Sequence, residues 1–262
     1  MSVLKQFLLG FLVFACSLAI AQQAERVVDI PTRPGVTLRL LVAAPPEPKA
    51  TLVLLAGGHG GLQIFPNGSM RYGDRIFLVR SRQLFVEQGL AVAVVDTPSD
   101  RQVSPFLRGF RQSPEHVADL KATISWLREA FKAPVWLVGT SRGTQSAAHV
   151  TSELSGAIGP DGLVLTSTVL VDTEETPVLA MALDKIKVPV LVAHHERDAC
   201  AECPFSEVAT LMDRFSSASK KHLLVFTGGN TRGPACGPLA HHGFSGIEHE
   251  VARQVAGWVL SR

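Results

Sequence analysis

An excess of charge of either sign is missing from this chain of 262 residues: 25 Lys and Arg stand against 23 Asp and Glu, a formal net charge of +2. That near-balance, with 46% hydrophobic residues, describes an ordinary globular protein. It excludes a nucleic-acid partner and a disordered charged tail as readings of the composition. Internal repeats, low-complexity tracts and domain linkers are also missing, so the chain reads as one domain with a full core. Cysteine is scarce, at four residues, and a fourth ligand at regular spacing for a structural zinc site is lacking.

A long apolar run is lacking as well. The N-terminal stretch 7–19 falls short of the roughly 20 residues that a spanning helix needs. It follows Lys5 and precedes Ala19-Ile20-Ala21 and the polar pair Gln22-Gln23, the order of a secretory signal with cleavage after Ala21. The expectation is a leader over 1–21 and a single domain over 22–262, periplasmic or secreted, with no stable membrane span after cleavage. A membrane anchor competes with this reading, as does a lipoprotein signal at Cys16, although Phe14 is bulky for that pattern. Loss of the leader removes Cys16 and leaves Cys200, Cys203 and Cys236 in an oxidising compartment, an odd count.

What is present is alternation. Short apolar runs at 36–42, 51–55, 90–95, 135–138, 163–166, 188–193 and 222–226 read as strands. Those bounded by Gly or Pro without polar alternation read as buried on both faces. Amphipathic segments at 75–88, 114–131, 144–154, 204–215 and 246–260 separate them. Ser113 caps the second of these, Pro114 opens it, and Val117, Leu120, Ile124 and Leu127 form one stripe. Strands alternating with helices predict an α/β protein with a mostly parallel central sheet. In such sheets ligands bind beyond the carboxyl ends of the strands, so the residues just after each run carry the information.

After the run 135–138 comes Gly139-Thr140-Ser141-Arg142-Gly143, and then a helical segment. Strand, Gly-x-Ser-x-Gly, helix is a nucleophile elbow: the serine sits on a strained turn, and the flanking glycines carry no side chain to collide with neighbouring elements. On these residues the sequence resembles the α/β-hydrolase family, and more loosely its dienelactone-hydrolase-like and small esterase branches. The likeness runs from about residue 36 to about residue 258.

The resemblance implies the α/β-hydrolase fold, with helices on both faces of the sheet, and a chain order of serine, acid, histidine. Asp198, shortly after the run 188–193, fits the acid, with Glu196 and Asp172 as competitors. His242, in His242-Gly243-Phe244, fits the family's histidine motif and is preferred over His241. His242 would take the hydroxyl proton of Ser141, and Asp198 would fix the imidazole tautomer. The oxyanion would be held by the Arg142 N–H and by one from Gly57-Gly58-His59-Gly60-Gly61, with His59, Gly60 and Gly61 as candidates. Only 167–187 is available for a lid, so no large one is expected. With Cys200 and Cys203 after the acid and Cys236 before the histidine, a bridge from Cys236 to either would staple two site loops. Unpaired buried thiols are the alternative.

The expected activity is hydrolysis of a carboxylic ester or related acyl bond of a small-molecule substrate through an acyl-enzyme, with no metal or organic cofactor. A prolyl-oligopeptidase-like peptidase and a non-catalytic exported binding protein on the same fold are the alternatives, since fold analogy does not supply the pocket. The crowd Arg71, Arg75, Arg80, Arg82, Arg101, Arg108 and Arg111 reads as solvated helix and loop charge, with an anionic substrate group as the other explanation. Oligomeric state is left open by the sequence.

Overall fold

A computed structural model describes residues 25–261. The expected leader and its cleavage site lie outside the described residues. Eight strands among those described form one sheet in the order β1-β2-β4-β3-β5-β6-β7-β8. They are β1 (Arg26–Arg33), β2 (Val36–Ala43), β3 (Thr51–Leu55), β4 (Ala91–Pro98), β5 (Val135–Ser141), β6 (Gly162–Thr168), β7 (Val190–His195) and β8 (Lys221–Phe226). The pairs from β4 to β8 are parallel, and β2 joins antiparallel to both β1 and β4.

The strand period of two sorts side chains between the faces. On β3, Val53 and Leu55 enter one core cluster while Leu52 and Leu54 enter the other. The first cluster is covered by the helices α3 (Pro114–Phe131), α4 (Gly143–Glu153) and α5 (Val208–Arg214). The second is covered by α1 (Phe77–Arg80), α2 (Arg82–Glu87) and α6 (Glu248–Leu260). Strands clad on both faces explain the continuous apolar runs.

The helix α3 begins and ends at the expected residues. The Ser113 hydroxyl accepts the His116 N–H at 3.1 Å, Pro114 stands in the first turn, and Lys132 ends the helix in the left-handed region at φ 50°. Three local expectations are corrected. The strand β1 has no counterpart among the apolar runs, because Arg26, Asp29, Pro31 and Arg33 break its pattern; it lies at the sheet edge, where Pro is tolerated. The segment 75–88 is two short helices, interrupted at Ser81 with ψ 3°. The segment 204–215 becomes α-helical only at Val208, after a 3-10 turn over Phe205–Glu207. Between β6 and β7 there are only the 3-10 turns Val178–Ala180 and Leu183–Lys185, so no helical lid is inserted there.

Candidate active site

Because β3, β5, β6, β7 and β8 run parallel, the loops after them share one rim of the sheet. Ser141 ends β5 with φ 52°, a left-handed conformation that is uncommon outside glycine. The turn is tight. A Cβ on Gly139 would lie 2.5 Å from the Gly143 carbonyl oxygen, and one on Gly143 would lie 2.1 Å from the Leu55 carbonyl oxygen. Both elbow positions therefore exclude a side chain, and the strain at Ser141 turns the chain sharply from β5 into α4.

His242 and Asp198 come together from separate loops. The His242 Nδ1 lies 2.9 Å from Asp198 Oδ2, and both side chains are buried. Asp198 Oδ1 accepts the Cys200 N–H at 2.9 Å, so each carboxylate oxygen has a donor. The Ser167 hydroxyl donates to the His242 carbonyl at 2.6 Å and fixes the backbone of that loop to the end of β6. Ser141 and His242 line one cavity, together with Gly57, Gly58, Phe77 and Pro238.

The competitors are committed elsewhere. Asp172 binds the Arg142 guanidinium at 2.6 Å, Glu196 pairs with Arg197 at 3.5 Å, and His241 stacks on His195 with ring centroids 4.2 Å apart. A disulfide joins Cys200 to Cys236, stapling the acid loop to the histidine loop as one of the expected pairings. Cys203 stays free and buried, and burial pushes its thiol well above the ordinary range. The sulfurs of Cys200 and Cys203 and a His242 ring nitrogen lie within 4.8 Å of one another, but Cys200 is bonded to Cys236 and His242 Nδ1 faces Asp198.

The glycine loop requires a correction. Gly60 donates its N–H to the Gly57 carbonyl at 3.3 Å, and its α-carbon faces Leu107 and Arg111. Gly61 packs on the Phe106 ring and gives its N–H to His59 Nδ1 at 3.1 Å. The His59 ring stacks on Phe106 at 4.4 Å, in a neighbouring cleft. The part of the loop that meets the serine lies earlier. A Cβ on Gly57 would fall 2.8 Å from Ser141 Cβ and 3.4 Å from its Oγ. Several glycines in a row hid this register in the sequence.

Three further residues shape the rim; the sequence marks Asp96 only by its place just after the run 90–95, and does not signal the side-chain roles of Arg142 and Arg111. The Asp96 carboxylate accepts the N–H groups of Leu62, Gln63 and Ile64 at 2.8, 3.1 and 2.8 Å, gripping the end of the glycine loop. Arg142, besides Asp172, binds Glu175 at 3.0 Å and Glu202 at 2.7 Å. Burial opposes its charge, but Glu202 and Asp172 outweigh burial and raise its pKa. Arg111 departs from its neighbours in the arginine crowd. Arg80, Arg82 and Arg108 form ion pairs with Glu248, Glu25 and Glu174, whereas Arg111 is fully buried and has no ion pair among the described residues.

No protein-family model and no curated protein sequence matches this chain. Solved structures do match in fold. A dienelactone hydrolase from Anabaena variabilis aligns with a TM-score of 0.64 at 16% identity, over 91% of this chain and 97% of that one. An esterase of Pyrococcus furiosus aligns with a TM-score of 0.66 at 16% identity, over 90% of each chain. A Xanthomonas campestris protein described as an α/β serine hydrolase without lid aligns with a TM-score of 0.58 at 15% identity, over 92% and 97%. The chain has the α/β-hydrolase fold, with no large lid inserted between β6 and β7. At these identities the likeness establishes architecture alone.

Proposed function

We propose that the protein is a serine hydrolase that cleaves carboxylic esters or related acyl bonds, with Ser141 as nucleophile, His242 as base and Asp198 as acid. The observation that carries this reading is a serine on a positive-φ elbow sharing a cavity with a histidine whose Nδ1 is hydrogen-bonded to a buried carboxylate. A serine hydroxyl attacks poorly at neutral pH unless a base takes its proton. His242 takes that proton and passes it to the leaving group, while Asp198 holds the proton on Nδ1 and stabilises the imidazolium without being protonated.

Attack places negative charge on the carbonyl oxygen, and preorganised N–H donors lower the barrier by stabilising it. The Arg142 N–H, next to the nucleophile, is one donor. The Gly58 N–H is the other, because Gly57 abuts Ser141 and Gly58 lines the same cavity. The cavity walls from Ile76, Phe77 and Pro238 suit an apolar acyl group. Export to the periplasm or medium accords with the expected leader and with a disulfide between site loops.

Ser141→Ala tests the assignment. A fluorophosphonate probe is expected to label the mature protein at residue 141 and to leave the variant unlabelled; labelling of another serine refutes it. A side-by-side screen of p-nitrophenyl esters and aminopeptide substrates, expected to show ester turnover, separates esterase from peptidase.

A further inference from the structure

The largest fully buried side chain among the described residues is the guanidinium-bearing Arg111, 1% exposed. Taking such a cation out of water costs several kcal/mol; among the described residues no carboxylate pairs with it directly, and Glu175 and Asp172, which pair with Arg142, offset the cost only in part from farther away. Burial lowers its pKa to about 10, so the group is still a cation at neutral pH. Its hydrogen bonds are to two backbone carbonyls. Nε donates to the Arg142 oxygen at 3.0 Å and Nη2 to the Gly58 oxygen at 2.8 Å.

These two acceptors stand 31 and 53 residues from Arg111 in sequence, on loops that follow different strands. They belong to the same two residues whose N–H groups face the developing oxyanion in the proposed mechanism. A planar fork with fixed geometry spaces its two acceptors more tightly than a flexible ammonium can. The segment bearing Arg111 is itself tied to the glycine loop: the Leu107 N–H donates to the His59 carbonyl at 3.1 Å, and Phe106 stacks on the His59 ring.

We propose that Arg111 is the positioning residue of the oxyanion hole, one guanidinium that sets the distance between the loop carrying Gly58 and the elbow carrying Arg142. It touches neither substrate nor nucleophile. The inference rests on the reading of Ser141 as nucleophile. A donor displaced by about 1 Å costs on the order of a hundredfold in rate, and that cost falls on the transition state more than on the bound substrate.

The test uses Arg111→Met, which keeps bulk without charge, and Arg111→Lys, which keeps charge without the fork. Both are compared with the wild-type protein on p-nitrophenyl acetate, by the rate of fluorophosphonate labelling, and by inhibition with a trifluoromethyl ketone. In each variant kcat is expected to fall about a hundredfold, with KM changing less than about threefold. Labelling should slow, and ketone affinity should weaken in proportion to kcat/KM. Lysine restores the charge but spans one carbonyl, so it should rescue little. A folded Arg111→Met protein with kcat within about threefold of wild type and unchanged ketone affinity overturns the proposal. Loss of cooperative unfolding in both variants also overturns it, by assigning Arg111 to folding. A wild-type protein that is not labelled at Ser141 fails the underlying reading instead.

Discussion

Replacing Asp198 by Asn changes one atom and reverses a hydrogen bond. In the native site Oδ1 accepts the Cys200 N–H and Oδ2 accepts from His242 Nδ1, both at 2.9 Å. An amide can keep only one acceptor. With its oxygen held by the Cys200 N–H, its NH2 group faces His242 Nδ1 and drives the imidazole proton to Nε2. On the proposed roles, an Nε2 that already carries a proton cannot take one from Ser141. In a serine-protease triad the equivalent aspartate-to-asparagine change, which leaves the geometry intact and the tautomer wrong, costs about ten-thousandfold in kcat, or about 5 kcal/mol of barrier. The same order is expected here. The assay is steady-state ester hydrolysis, with circular dichroism and thermal unfolding to show that the fold persists. An Asp198→Asn protein that folds and keeps kcat within about tenfold of wild type refutes the argument, because the tautomer would then not control the base.

Gly57→Ala should leave a folded protein with kcat lower by about a hundredfold or more, since its Cβ would sit 2.8 Å from Ser141 Cβ; ester hydrolysis together with unfolding curves checks both halves. Reducing the Cys200–Cys236 bond, which spans 36 residues, should lower stability by about 4 kcal/mol on the loop-entropy model; a Cys200→Ser/Cys236→Ser protein with an unchanged urea midpoint contradicts this. Burial, opposed in part by Asp198, lowers the His194 pKa to about 4 from 6.5, and burial lowers that of His116 to about 3. Between those values and 6.5 the unfolded chain binds protons that the folded one refuses, so stability is full above about pH 6.5 and falls as pH drops toward 4. His194→Gln keeps an acceptor for the Thr168 N–H and should flatten that decline in urea titrations; an unchanged slope refutes the assignment.

Local pattern alone determined a large part of this protein. Strands clad on both faces must be continuously apolar, so β3 and β5 were legible as runs, and α3 was legible to the residue from its cap, its proline and its stripe. Ser141 was legible because an elbow needs glycine on both sides within five residues. Asp198 and His242 became candidates only through the chain order of a resembled family, since an isolated carboxylate or imidazole carries no local signature. The edge strand β1 escaped, because a half-exposed strand with Pro31 needs no apolar run.

Only the tertiary structure decided the rest. Which glycine meets the serine depends on the approach of two loops, and a run of glycines is locally degenerate. Which cysteine pairs with Cys236 depends on where the loop after Asp198 turns. Arg111 stood in a crowd of arginines and looked like surface charge. Its burial against the carbonyls of Gly58 and Arg142 comes from elements 53 and 31 residues away, and no window of sequence contains that contact. Short-range periodicity encodes which residues face the core, whereas the spacing of groups around a site is set by how whole elements pack.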